Sequence, residues 1–89
     1  MCRNIKPLYN FDPPATQVDL EAAARQFVRK ITGMTRPSAA NSDAFEEAVA
    51  SITRTCEHLF ATLETSATPR DRATWEATHR ARSAARFGQ

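Results

Sequence analysis

Phe45, Val49, Ile52, Cys56, Leu59 and Leu63 recur at spacings of four, three, four, three and four residues, with Phe60 beside Leu59. That rhythm follows the 3.6-residue turn of an α-helix, whereas a strand would repeat every second residue. A core helix over 43–65 is expected, its first turn carrying Asp43, Glu46 and Glu47 at the positive end of the helix dipole. At about 1.5 Å per residue it would exceed 30 Å in length. Other elements must cover so long an apolar stripe.

Glycine reinforces the helical reading. The chain has two glycines in 89 residues, Gly33 and Gly88, so a multi-stranded sheet would have to make nearly every connection without its usual turn residue. A helix over 17–32 is expected upstream, with Thr16 as N-cap, Asp19 in the first turn and Gly33 as the left-handed stop. Its stripe is Leu20, Ala24, Phe27 and Ile31, widened by Ala23 and Val28. The following MTRPSAAN segment is read as a linker ending in a cap at Asn41 or Ser42. Thr68-Pro69-Arg70-Asp71 supplies an N-cap, a proline at the first helical position and an acid at the third, which predicts a third helix over 69–86. Its stripe is thin: Trp75, then Ala81 or Ala85, then Phe87. Residues 1–15 hold three of the five prolines, yet Ile5, Leu8 and Phe11 are large and apolar. They are expected to form an irregular but ordered N-terminal arm lying against the helices. The fold class is all-α: a small three-helix bundle with an arm, residues 1–89 forming one domain.

At 42% hydrophobic and 25% charged residues the composition is that of an ordinary folded chain. Every apolar run is shorter than the 18 to 20 or so residues a membrane-spanning helix needs, and the opening residues lack the apolar stretch of a secretion signal. A cytoplasmic location, without membrane contact, is the expectation. Two cysteines, Cys2 and Cys56, are too few for a disulfide scaffold.

The combination of MCRNIK at the start, PPAT before the first helix, QFVRKITG at its end, RPSAAN and AF in the connection, and PRDR before the third helix resembles domain-of-unknown-function family 2277. Its members are small bacterial proteins of about this length that open with M-C-R-N-I. The resemblance covers nearly the whole chain and is weakest after Arg72. It implies a single domain, and it brings no activity, cofactor, partner or site residue with it.

The best chemical candidate is Cys2, beside Arg3 and four residues from Lys6, because neighbouring cations stabilise the thiolate that attacks electrophiles or binds metal. Packing at a tethered terminus is the competing account. Cys56 and His58 point about 200° apart on a helix and cannot share an ion, so Cys56 is read as core. A metal site on Cys2, Cys56 and one histidine would need the arm to fold back onto the core helix. No nucleophile elbow or phosphate loop is present, and Glu46-Glu47 is explained by the helix dipole, so catalytic and cofactor-binding residues are not expected. The C-terminal quarter, residues 65–89, carries five arginines, Arg70, Arg72, Arg80, Arg82 and Arg86, against two acids. They make a partial basic surface, better suited to a solvated face than to phosphate. Nucleic-acid binding is disfavoured by a net charge of only +2. The leading functional expectation is a non-enzymatic module working by self-association or with a protein partner, prompted by the thin third helix. The alternatives are a redox or metal-responsive protein acting through Cys2, and a weak nucleic-acid binder using the arginine-rich end.

Overall fold

The computed structural model of the chain describes residues 6–87, and side chains as far as residue 81. Three helices dominate: α1 (Gln17–Thr32), α2 (Ser42–Thr62) and α3 (Arg72–Phe87). Two short strands, β1 (Phe11–Asp12) and β2 (Arg70–Asp71), pair in parallel, Phe11 opposite Arg70 and Asp12 opposite Asp71. The all-α reading holds, with this small pairing added to the arm.

The α1 boundaries are those expected, for the physical reasons expected. Thr16 accepts from the Asp19 amide while the Asp19 carboxylate accepts from the Thr16 amide, closing a reciprocal capping box. Gly33 ends the helix in the left-handed region at φ 74°, its amide donating to the Arg29 carbonyl at 2.8 Å. A turn of 3-10 helix over Ala39–Asn41 then leads into α2, with Asn41 at the cap position but making no side-chain capping bond. α2 stops at Thr62, three residues short of the expected end. Leu63 turns extended there, and all residues from 61 to 70 are exposed, so past Phe60 nothing in that stretch is packed.

α1 and α2 form a hairpin, and its core is narrower than the sequence stripes. Leu20, Ala24 and Val28 from α1 are buried, as are Phe45, Val49 and Thr53 from α2. Both rows step by four residues, the arrangement in which i, i+4 ridges of two helices interlock. Thr53 takes a place that hydrophobic periodicity assigned to no residue, and its hydroxyl donates to the Val49 carbonyl at 2.7 Å, which satisfies it without water. Phe27 and Ile31 on α1, Leu59 on α2 and Leu63 just past its end were expected in the core. They are instead 43%, 65%, 47% and 43% exposed. A bidentate pair fastens the hairpin from outside, Arg25 to Glu46 at 2.7 and 2.9 Å, with Glu21 also 3.6 Å from Arg25.

α3 begins three residues later than expected. Asp71 is the cap in place of Thr68, its carboxylate accepting from the Thr74 amide at 2.8 Å and the Thr74 hydroxyl at 2.6 Å. Pro69 therefore precedes the strand and does not open the helix. The reason lies in the arm, where the Asn10 carbonyl accepts from the Arg70 amide and the Asn10 side chain donates to the Ala67 carbonyl. Asn10 itself sits at φ 63°, a conformation asparagine tolerates. The fold is also flat, 18 Å in its shortest extent. α3 is tied to the arm through the Phe11–Trp75 and Lys6–Glu76 contacts.

Candidate association surface

Because α2 buries only its i, i+4 row, the rest of the sequence stripe is left along one side of the hairpin. Ile52, Cys56 and Phe60 from α2 face Leu20, Ala23 and Phe27 from α1 across a groove of about 370 Å³, with Leu8 of the arm at its edge. Lys6 is its one charged lining residue among those described. Tyr9 packs edge-on against Phe60 at 5.4 Å, fixing the arm beside the groove. Cys56, expected as an ordinary core residue, is half-buried and free, and it forms part of the groove lining. Ile31 and Leu63 do not line the groove, and both are exposed.

A second concavity, about 330 Å³, lies where α3 begins. Several of its polar groups make contacts within the chain. Asp71 caps α3, and the hydrogen bonds from Thr74 hold its carboxyl below the usual range. Arg70 lies over the Phe11 ring at 4.4 Å, and His79 stacks on Trp75 at 3.6 Å. Trp75 also meets Phe11 edge-on at 5.7 Å. Arg72 adds a second guanidinium over Phe11 at 5.1 Å and donates twice to the Pro13 carbonyl, at 2.8 and 3.2 Å. Lys6 reaches across to Glu76 at 2.8 Å, a hydrogen bond that lowers the Glu76 pKa. This arrangement is a fastening between arm and helix, and Phe11, only 4% exposed, is its centre.

The residues singled out from the sequence therefore part company. Arg70 and Arg72 are brought together, but onto an aromatic ring. Arg80 is exposed on α3, while Arg82 and Arg86 lie on the same helix with side chains outside the described residues. Cys2, with Arg3, lies outside the described residues as well. Among the described residues no cluster of three or more His, Cys, Asp or Glu side chains is placed to hold a metal ion, and no helix is long and apolar enough to cross a membrane. Sequence reasoning missed Phe11 as the anchor of α3. Its signal was there in the aromatic count, since Trp75 had no apolar neighbour at helical spacing able to cover it.

The sequence pattern of a family described as an uncharacterised conserved protein, DUF2277, matches residues 1–78. The chain belongs to that family. No curated protein and no solved structure matches it. The DUF2277 match takes in the arm, the hairpin, Phe11, Trp75 and the whole groove lining, and it ends before Arg80, Arg82 and Arg86. The more distal basic residues lie outside the part of the chain that defines the family.

Proposed function

We propose that this DUF2277 protein works by association, a second copy of the chain covering the exposed apolar residues of the α1–α2 hairpin. One observation carries the reading. Phe27, which lines the apolar groove, and Ile31, Leu59 and Leu63 are large apolar side chains of the α1–α2 hairpin and its end, left 43–65% exposed. Each such side chain removed from water is worth about 1.5–3 kcal/mol if covered completely, and runs of exposed apolar surface mark protein contacts more often than isolated residues do. The surface expected from the sequence, Trp75 on α3, is a weaker candidate because Phe11 and His79 already cover that ring. The arginine set favours nucleic acid less than before, since Arg70 and Arg72 are turned onto Phe11.

Sedimentation velocity over a range of concentrations tests the proposal, with Ile31→Glu and Leu59→Glu as variants and circular dichroism to confirm that their helices persist. Reversible self-association that weakens in both variants is expected. A strict monomer at high concentration removes self-association and leaves a heterologous protein partner as the remaining form of the idea.

A further inference from the structure

The junction between the arm and α3 makes no demand that both come from one chain. We propose that β2 and α3 form an exchangeable unit: two copies of this chain trade them, each seating its Trp75 on the Phe11 of the other, so that the arm of one copy completes the junction of its partner. The arm is the fixed half. Tyr9 packs edge-on against Phe60 of α2 at 5.4 Å, and Leu8 lines the groove between α1 and α2. β2 and α3 are the movable half. Among the described residues, the hydrogen bonds, ion pairs and ring contacts that they make with other elements all end on arm residues 6–13. The Arg70 amide donates to the Asn10 carbonyl, Arg72 donates to the Pro13 carbonyl and Glu76 accepts from Lys6, while Trp75 and two guanidiniums meet Phe11. None of these contacts involves the core residues Ala24, Val28, Phe45 and Val49, so the hairpin stays the same whichever chain supplies α3.

The connector supplies the freedom. Residues 63–69 are all exposed, and their bend at Ala67 is held by two hydrogen bonds, from the Ala67 amide to the Thr65 hydroxyl at 3.0 Å and from the Asn10 side chain to the Ala67 carbonyl at 3.2 Å. Thr68, which precedes Pro69, is biased towards extended backbone, and this favours an opened connector over a tightly folded one. Opened fully, its seven residues reach about 25 Å at most, enough to pass the unit to a neighbouring copy. The same contacts exist before and after the exchange, so the exchange costs little besides association, and reciprocal trading closes a two-fold dimer. The proposal is independent of the hairpin face, since it leaves Ile31 and Leu59 as exposed as before.

The Lys6–Glu76 pair makes the test direct. Equal amounts of the natural chain, one with ordinary and one with heavy-isotope nitrogen, are unfolded in urea, refolded together at high concentration and separated by size. A carbodiimide then joins the Lys6 amine to the Glu76 carboxyl, which lie 2.8 Å apart, and the joined peptides are weighed by mass spectrometry. Trading is expected to give a dimer in which about half of the Lys6–Glu76 pairs carry one label of each kind, while the monomer gives like-labelled pairs only. Ile31→Glu, which disables the hairpin face, should leave that fraction unchanged. A dimer whose pairs are all like-labelled overturns the proposal and leaves the hairpin face as the site of association. Loss of the mixed pairs in Ile31→Glu overturns it as well, and so does the absence of any dimer at high concentration.

Discussion

The hairpin and the arm–α3 junction are held together by different physics. In the hairpin, Ala24, Val28, Phe45 and Val49 bury one another, with Met34, Ala48 and Ile52 packed around them; the Thr53 hydroxyl bonds to its own helix inside, and the ion pairs lie on the outside. At the junction one ring, Phe11, collects Trp75, Arg70 and Arg72. The rest of the attachment is hydrogen bonds, from Arg70 to the Asn10 carbonyl, from Arg72 to the Pro13 carbonyl and from Lys6 to Glu76. The first region is non-directional and tolerant of small shifts. The second depends on geometry and charge, so each part of it should fail under different conditions.

The largest effect is expected in the hairpin. Phe45→Ala should cost about 3–5 kcal/mol, a substantial share of the stability available to a chain this short. Leu59→Ala, on the same sequence stripe but half exposed, should cost about 1 kcal/mol, in proportion to the area it leaves in water. Denaturant unfolding followed by circular dichroism ranks the two. Equal losses would mean that Leu59 is covered in solution, and would count in favour of a partner over that face.

A smaller and more local loss is expected at the junction. Phe11→Ala removes the ring on which α3 rests, yet leaves every residue of the hairpin core in place. Elements with few buried apolar contacts can open below the free energy of global unfolding. The global cost should therefore be only about 1–2 kcal/mol, well below that of Phe45→Ala. Trp75 is the sole tryptophan, and its emission should shift to longer wavelength as it loses Phe11. Amide exchange over 72–81 should accelerate while that over 42–62 stays slow. Loss of protection in both segments together would show that the junction and the hairpin form one cooperative unit.

The same contrast explains which parts were legible in the sequence. The α1 ends followed from Thr16, Asp19 and Gly33 because capping is local, a matter of side chains reaching amides three residues away. The existence of α2 followed from its period. The facing of that period did not: a stripe of Phe45, Val49, Ile52, Cys56, Leu59 and Leu63 is wide enough for two neighbours, and it meets only one. Thr53 was invisible because a threonine reads as polar until its hydroxyl is seen to bond back to Val49. The start of α3 was misplaced because Thr68-Pro69 is a good local signal that a tertiary one overrides, namely the pairing of Arg70 and Asp71 with Phe11 and Asp12 across 59 positions of sequence. The association surface was expected on the third helix, at Trp75 with Phe87, on the argument that a thin stripe seeks cover. At Trp75 part of that cover is Phe11 of the arm, and exposed apolar residues also remain on α2.

Acid should separate the two regions again, by a smaller amount. Four carboxyls are held below their ordinary pKa: Asp19 by the Thr16 amide, Glu46 by the Arg25 guanidinium, Asp71 by Thr74 and Glu76 by Lys6. A depressed folded-state pKa means that the unfolded chain takes up protons first as pH falls, so the stabilisation is complete above the unfolded values, about 3.9 for Asp and 4.3 for Glu. It is lost progressively as pH drops below those values and through the lower folded ones. All four groups are solvent-accessible, so each contributes modestly and added salt should reduce the part that comes from ion pairing. Protonating Asp19 and Glu46 leaves the hairpin its apolar core. Protonating Asp71 and Glu76 removes the α3 cap and the Lys6 tie from a junction that has little else beyond Phe11. Trp75 emission should accordingly begin to change below about pH 4.5, before helix content falls. Glu76→Gln should diminish that early phase, because a neutral amide keeps the hydrogen-bond acceptor and loses the charge that Lys6 recognises. An acid titration in which fluorescence and circular dichroism change together, with Glu76→Gln indistinguishable from the natural sequence, would place the weak point of the molecule elsewhere than at the arm.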